Sequence, residues 1–100
     1  MSASRIRFHR LAVGEYRSAR DWYWQRSEQA ARQFVFAIDR AADRIAAGAE
    51  SLPVLTGVFR YARVRGFPYV LVFRRIEADL VKIVAVSHTS RRPGYWRRRR

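Results

Sequence analysis

One hundred residues with 49% hydrophobic and 14% aromatic content suffice for one small domain with a modest core. The formal net charge is +13 and Lys82 is the only lysine, so arginine dominates the cations and favours planar, bidentate contact with phosphates or carboxylates. The absence of cysteine excludes disulfide and thiolate chemistry, and no apolar run approaches the roughly 18 residues that span a membrane.

Arg5–His9 alternates basic with apolar residues, which predicts a short strand at or near a sheet edge with Ile6 and Phe8 on one side. From Leu11 to about Arg26 the period becomes helical: Ala12, Tyr16, Ala19 and Tyr23 form one stripe, with Trp22 and Trp24 flanking it. Ser27 caps a second helix that runs to about Ala47, where Gly48 supplies a stop. Its stripe is Ala31, Phe34, Ile38, Ala41 and Ile45, and the short link between the helices implies an antiparallel hairpin.

Glu50–Gly57, with Ser51, Pro53, Thr56 and Gly57, reads as a loop leading to a sheet. Three strands follow at Val58–Arg65, Tyr69–Arg75 and Leu80–Ser87, and connections this short require antiparallel neighbours. The expected fold is α+β, in the order β-α-α-β-β-β, with a helical hairpin packed on one face of a mainly antiparallel small sheet. A single domain over residues 1–96 would precede a solvated basic tail, Arg97–Arg100.

Strict alternation places Val81, Ile83 and Ala85 toward the helices and Lys82 and His88 on the opposite face. Tyr61, Arg63 and Arg65 would join them there in one open, basic and aromatic surface. Charge is also uneven along the chain: residues 1–50 carry net +3, and residues 51–100 carry net +10. A field of that sign attracts nucleic acid, an acidic protein or anionic lipid, although coding bias alone can also raise arginine content.

The order of elements carries specific residues with it. Asp21-Trp22-Tyr23 falls late in the first helix, Gly66-Phe67-Pro68-Tyr69 leads into a strand ending Phe73-Arg74, and Ala85-Val86-Ser87-His88 precedes Arg91-Arg92-Pro93-Gly94-Tyr95-Trp96. Over essentially the whole chain this combination resembles the RelE/ParE superfamily of toxins from type II toxin–antitoxin systems. The resemblance implies a cytoplasmic, growth-arresting protein neutralised by a cognate antitoxin, with no cofactor, no metal and no membrane partner.

Two targets divide that superfamily: ParE-like members inhibit DNA gyrase without nuclease chemistry, and RelE-like members enter the ribosome and cleave mRNA. The long first helix and its Trp22-Tyr23-Trp24 cluster favour the gyrase target. For a metal-independent nuclease the resemblance nominates His88, Arg63, Arg65, Arg74, Arg91 and Tyr95, a base or acid with cations for the developing phosphorane. His88 has a plainer reading too, as a strand-end histidine that bonds the following turn. Residues offered to an antitoxin or target are Trp22, Tyr23, Tyr61, Lys82, Arg92 and Trp96. A third reading is a non-toxic nucleic-acid-binding module that stacks bases on Tyr61 or Trp96.

Overall fold

The computed structural model describes residues 3–100. Strand β1 (Arg5–Phe8) leads to helices α1 (Arg10–Arg26) and α2 (Glu28–Gly48), then a short 3₁₀ turn, Ala49–Ser51. Four strands complete the chain: β2 (Val54–Thr56), β3 (Phe59–Val64), β4 (Tyr69–Glu77) and β5 (Leu80–His88). They form one sheet in the order β1-β5-β4-β3-β2, with β1 parallel to β5 at one edge and every other pair antiparallel.

Capping side chains mark the helix ends. His9 Nδ1 accepts the Leu11 amide at 3.0 Å and starts α1. Ser27 ends α1 through its own N–H, bonded to the Tyr23 carbonyl, and starts α2 by accepting the Ala30 amide at 3.2 Å. One residue therefore turns the chain through the hairpin. The α2 stripe Ala31, Phe34, Ile38, Ala41 and Ile45 is wholly buried. Phe34 is its centre, packed against Tyr16, Tyr23, Phe67 and Tyr69 with ring centroids 5.1–6.1 Å away.

The sheet departs from the sequence reading in three places. First, the segment expected to be a loop contains β2, which pairs with β3 through a turn at Gly57, where φ is +55°. Three residues beside Pro53 are too few to show a period of two, so the composition signalled only the turn.

Second, alternation breaks in β5. Val72 pairs with Ala85 but Phe73 pairs with Ile83, so Val84 is an extra residue in a β-bulge. Val84 and Ala85 both join the far-side cluster of Phe59, Val72 and Trp96, and Val86 turns to the helices. The expected grouping is corrected accordingly: Ala85 faces away from the helices, Lys82 stays on the open face, and His88 lies on the helix side, its ring 5.1 Å from Tyr69.

Third, the C-terminal segment is docked. Trp96 is 3% exposed and packs edge-on against Phe59 at 4.6 Å, covering part of the sheet face opposite the helices. The Arg99 side chain is 11% exposed, so within the run of arginines it is sheltered while Arg97, Arg98 and Arg100 are exposed.

The α1 cap is also a titrating group. Burial first, then the charges of Lys82, Arg99 and Arg10, lower the His9 pKa from its ordinary 6.5, against a raising contribution from Glu15. The unfolded chain then takes up the proton before the folded one, so stability declines as pH falls through 6.5 and levels off below the folded pKa. Urea unfolding of wild type between pH 7.5 and 5 should show that decline at His9, and His9→Asn, which keeps a capping acceptor, should remove its contribution. An unchanged pH profile in the variant would place the dependence elsewhere.

Candidate partner-binding groove

α1 presents a second stripe, Leu11, Gly14, Glu15, Ser18 and Trp22, beside its core stripe, whose Ala19 and Tyr23 also border the groove. Facing it across a groove of about 780 Å³ are Pro68, Tyr69, Val86, His88 and Arg91 from the adjoining ends of β4 and β5. The groove exists because β1 stops early. Its last residue, Phe8, pairs with Ile83, and the chain then leaves the sheet to enter α1, so the rest of the β5 edge has no strand beside it.

An unpaired strand edge needs other partners. The Val86 amide donates to Glu15 Oε1 at 3.0 Å, and the Val84 carbonyl accepts from Arg99 Nη1 at 3.0 Å. The Glu15 carboxylate also accepts from Arg91 at 2.9 Å and from both terminal nitrogens of Arg99 at 2.8 and 3.1 Å. Its side chain is 14% exposed, so these contacts form in a sheltered setting where a carboxylate without them would be costly. Arg91 further stacks its guanidinium on Tyr95, 3.7 Å from the ring centroid.

The nuclease set does not converge. His88 and Arg91 line the groove, and Arg91 is paired with Glu15. Arg63 lies on the open sheet face beside Tyr61's column, and Arg65 lies against α2 next to Arg44. Arg74 is on the open face at the other end of β4, with its guanidinium 5.9 Å from the Phe59 ring. His88 Nδ1 accepts the Ser90 amide at 3.0 Å and meets the Ser90 hydroxyl at 2.7 Å, so the turn after β5 occupies that nitrogen. Tyr95 has a buried hydroxyl with no hydrogen bond of proper geometry, although Ser87 and Glu15 lie close by; burial raises its pKa from 10.0.

The binding candidates are equally dispersed. Trp22 is 52% exposed at the groove rim, fixed by Arg26 stacked 3.7 Å from its ring and bonded to its carbonyl at 2.9 Å. Tyr23 has one edge in the groove and its ring in the Phe34 and Phe67 cluster. Tyr61 is half-buried and Lys82 half-buried, both on the open face; Arg92 is exposed after β5; Trp96 is buried. Glu15 and Arg99 were not singled out by the sequence. Glu15 is the only acid among the first twenty residues, which was the available signal.

Among the described residues, no cluster of His, Cys, Asp or Glu could hold a metal ion, and no helix is long and apolar enough to cross a membrane.

A family model for the ParE toxin of the type II toxin–antitoxin system parDE matches residues 6–93. A solved chain from the chromosomal ParDE toxin–antitoxin system of P. aeruginosa superposes with a TM-score of 0.72 at 16% identity, over 86% of this chain and 96% of that one. No curated protein sequence matches.

Glu15→Gln leaves the Val86 amide an acceptor but removes the charge that holds Arg91 and Arg99. Denaturant unfolding should show a loss of about 2–3 kcal/mol, well above the ~0–1 kcal/mol of an exposed ion pair such as Arg5 with Asp79. Limited trypsin digestion should also cut the variant faster within 97–100. Equal stability and equal digestion would show that the carboxylate does not fasten the C-terminal segment.

Proposed function

The chain belongs to the ParE toxin family of type II toxin–antitoxin systems, and from that premise we propose that it arrests growth by inhibiting DNA gyrase and is neutralised by a cognate antitoxin seated in the groove beside α1. The family implies an antitoxin partner; the target and the docking site are the proposal.

One observation carries the choice of target. A nuclease acting on the RNA 2′-hydroxyl needs its acid, base and phosphorane-binding cations within reach of one phosphodiester. Here Arg63 and Arg74 stand on the sheet face opposite the groove that holds His88, Arg65 lies by α2, and Arg91 is bonded to a Glu15 carboxylate that it shares with Arg99. That distribution suits a protein that acts by binding, and the two-helix hairpin supplies a long rigid surface for it. The mRNA interferase reading would need residues from both faces to act on one strand.

The groove suits an amphipathic segment. Leu11 and Trp22, both large and more than 40% exposed, give it apolar anchors at the α1 wall, with Tyr69 and Val86 on its floor. Arg91 and His88 at its rim suit acidic side chains of the same segment.

The purified protein should inhibit supercoiling of relaxed plasmid by gyrase and leave mRNA intact on programmed ribosomes. Cleaved mRNA with unimpaired supercoiling would reverse the assignment. Trp22→Glu should weaken binding to the product of the adjacent small reading frame by about tenfold or more without changing the melting temperature, since Trp22 is a rim residue. Undiminished binding would move the antitoxin off this groove.

A further inference from the structure

The open face of the sheet contains a second concavity that the toxin reading does not use. It encloses about 580 Å³ and is lined by Arg7, Arg74, Lys82, Arg97 and Arg100 over an apolar floor that includes Phe59 and Leu80. Among the described residues no aspartate or glutamate lines it.

Three of these cations are direct neighbours across the sheet. Arg7 of β1 pairs with Lys82 of β5, and Lys82 pairs with Arg74 of β4, all three on the same side. Residues so paired have Cα atoms only about 4.5–5.5 Å apart, and like charges directly opposite destabilise a sheet. The docked C-terminal segment adds the Arg97 and Arg100 side chains to the same concavity. The Lys82 ammonium donates to the terminal oxygen of Arg100 at 2.5 Å, one negative group against five cations. Arg74 Nε is buried with no partner. A further anion would offset the remaining repulsion and satisfy Arg74.

We propose that this pocket binds a small ligand bearing two or three linked phosphate groups. The cations converge on a concave site from three adjacent strands and from the segment lying over them, which suits a compact, multiply charged anion. An extended backbone needs an open track instead. Guanidinium groups bind phosphate oxygens bidentately, and Lys82 at the centre of the row supplies a point charge. Neither gyrase inhibition nor antitoxin binding enters this argument, so either can fail without the other.

Inorganic tripolyphosphate is the probe, titrated calorimetrically into the full chain at fixed ionic strength. Saturable one-to-one binding is expected, together with a rise in melting temperature. Lys82→Met should lower the affinity by about tenfold, the effect of removing one charge-assisted contact. In the absence of ligand its melting temperature should equal or exceed that of wild type, because a like charge has left the row. Arg7→Gln, on the exposed edge strand, should also weaken binding and gives the same readout should Lys82→Met fail to fold. Arg32→Gln, on α2, should bind as wild type does. Equal affinity in all four proteins would mean diffuse attraction to net charge and would overturn the site. A single-stranded oligonucleotide that binds through Lys82 where tripolyphosphate does not would overturn the small-ligand assignment.

Discussion

The Glu15 carboxylate ties together three parts of the chain. It reaches from α1 to the edge of β5, takes the Val86 amide, and gathers Arg91 and Arg99 from the segment that follows the sheet. β5 runs past the end of β1, and without a side-chain acceptor its edge would present unpaired amides toward the helix. Arg99 completes the arrangement by donating to both Glu15 and the Val84 carbonyl. With the segment pinned there, Trp96 is held over Phe59 and the far side of the sheet acquires a small core of its own. The buried tryptophan and the basic pocket beside the C-terminal arginines belong to the segment that this carboxylate holds.

The sheet then separates the charge of a chain at net +13 into distinct surfaces. Arg91 and Arg99 share the Glu15 carboxylate at the groove; Arg7, Lys82 and Arg74 crowd together on the open face; Arg65 stands beside Arg44 of α2, where burial and then the charges of Arg65 and Arg40 lower the Arg44 pKa. A single electropositive field therefore resolves into sites where arginines meet a carboxylate, as at Glu15, and others lined by cations without aspartate or glutamate. Composition alone treats these surfaces as equivalent, and the fold makes them chemically different.

Both helices were legible in the sequence because a period of 3.6 sustained over four or more turns leaves little ambiguity: Ala12, Tyr16, Ala19 and Tyr23 pack inward, and the five-residue α2 stripe is fully buried. The antiparallel order of β3, β4 and β5 followed from short connections. Face assignment in β5 held through Val84 and failed from Ala85 onward, since an unbroken run of apolar residues gives no sign of where a bulge inserts an extra residue. That one shift took His88 from the open face to the groove and divided the nominated nuclease residues. The docked arginines were illegible for a different reason. Their partner, Glu15, lies 84 residues away from Arg99, and a run of like charge reads locally as solvated.

Pulse labelling of DNA and protein synthesis in the first minutes after induction in a bacterial host separates the proposed gyrase target from the ribosome. Gyrase inhibition should lower DNA synthesis early while translation continues. An early fall in translation, with DNA synthesis persisting, would contradict it and point to the ribosome.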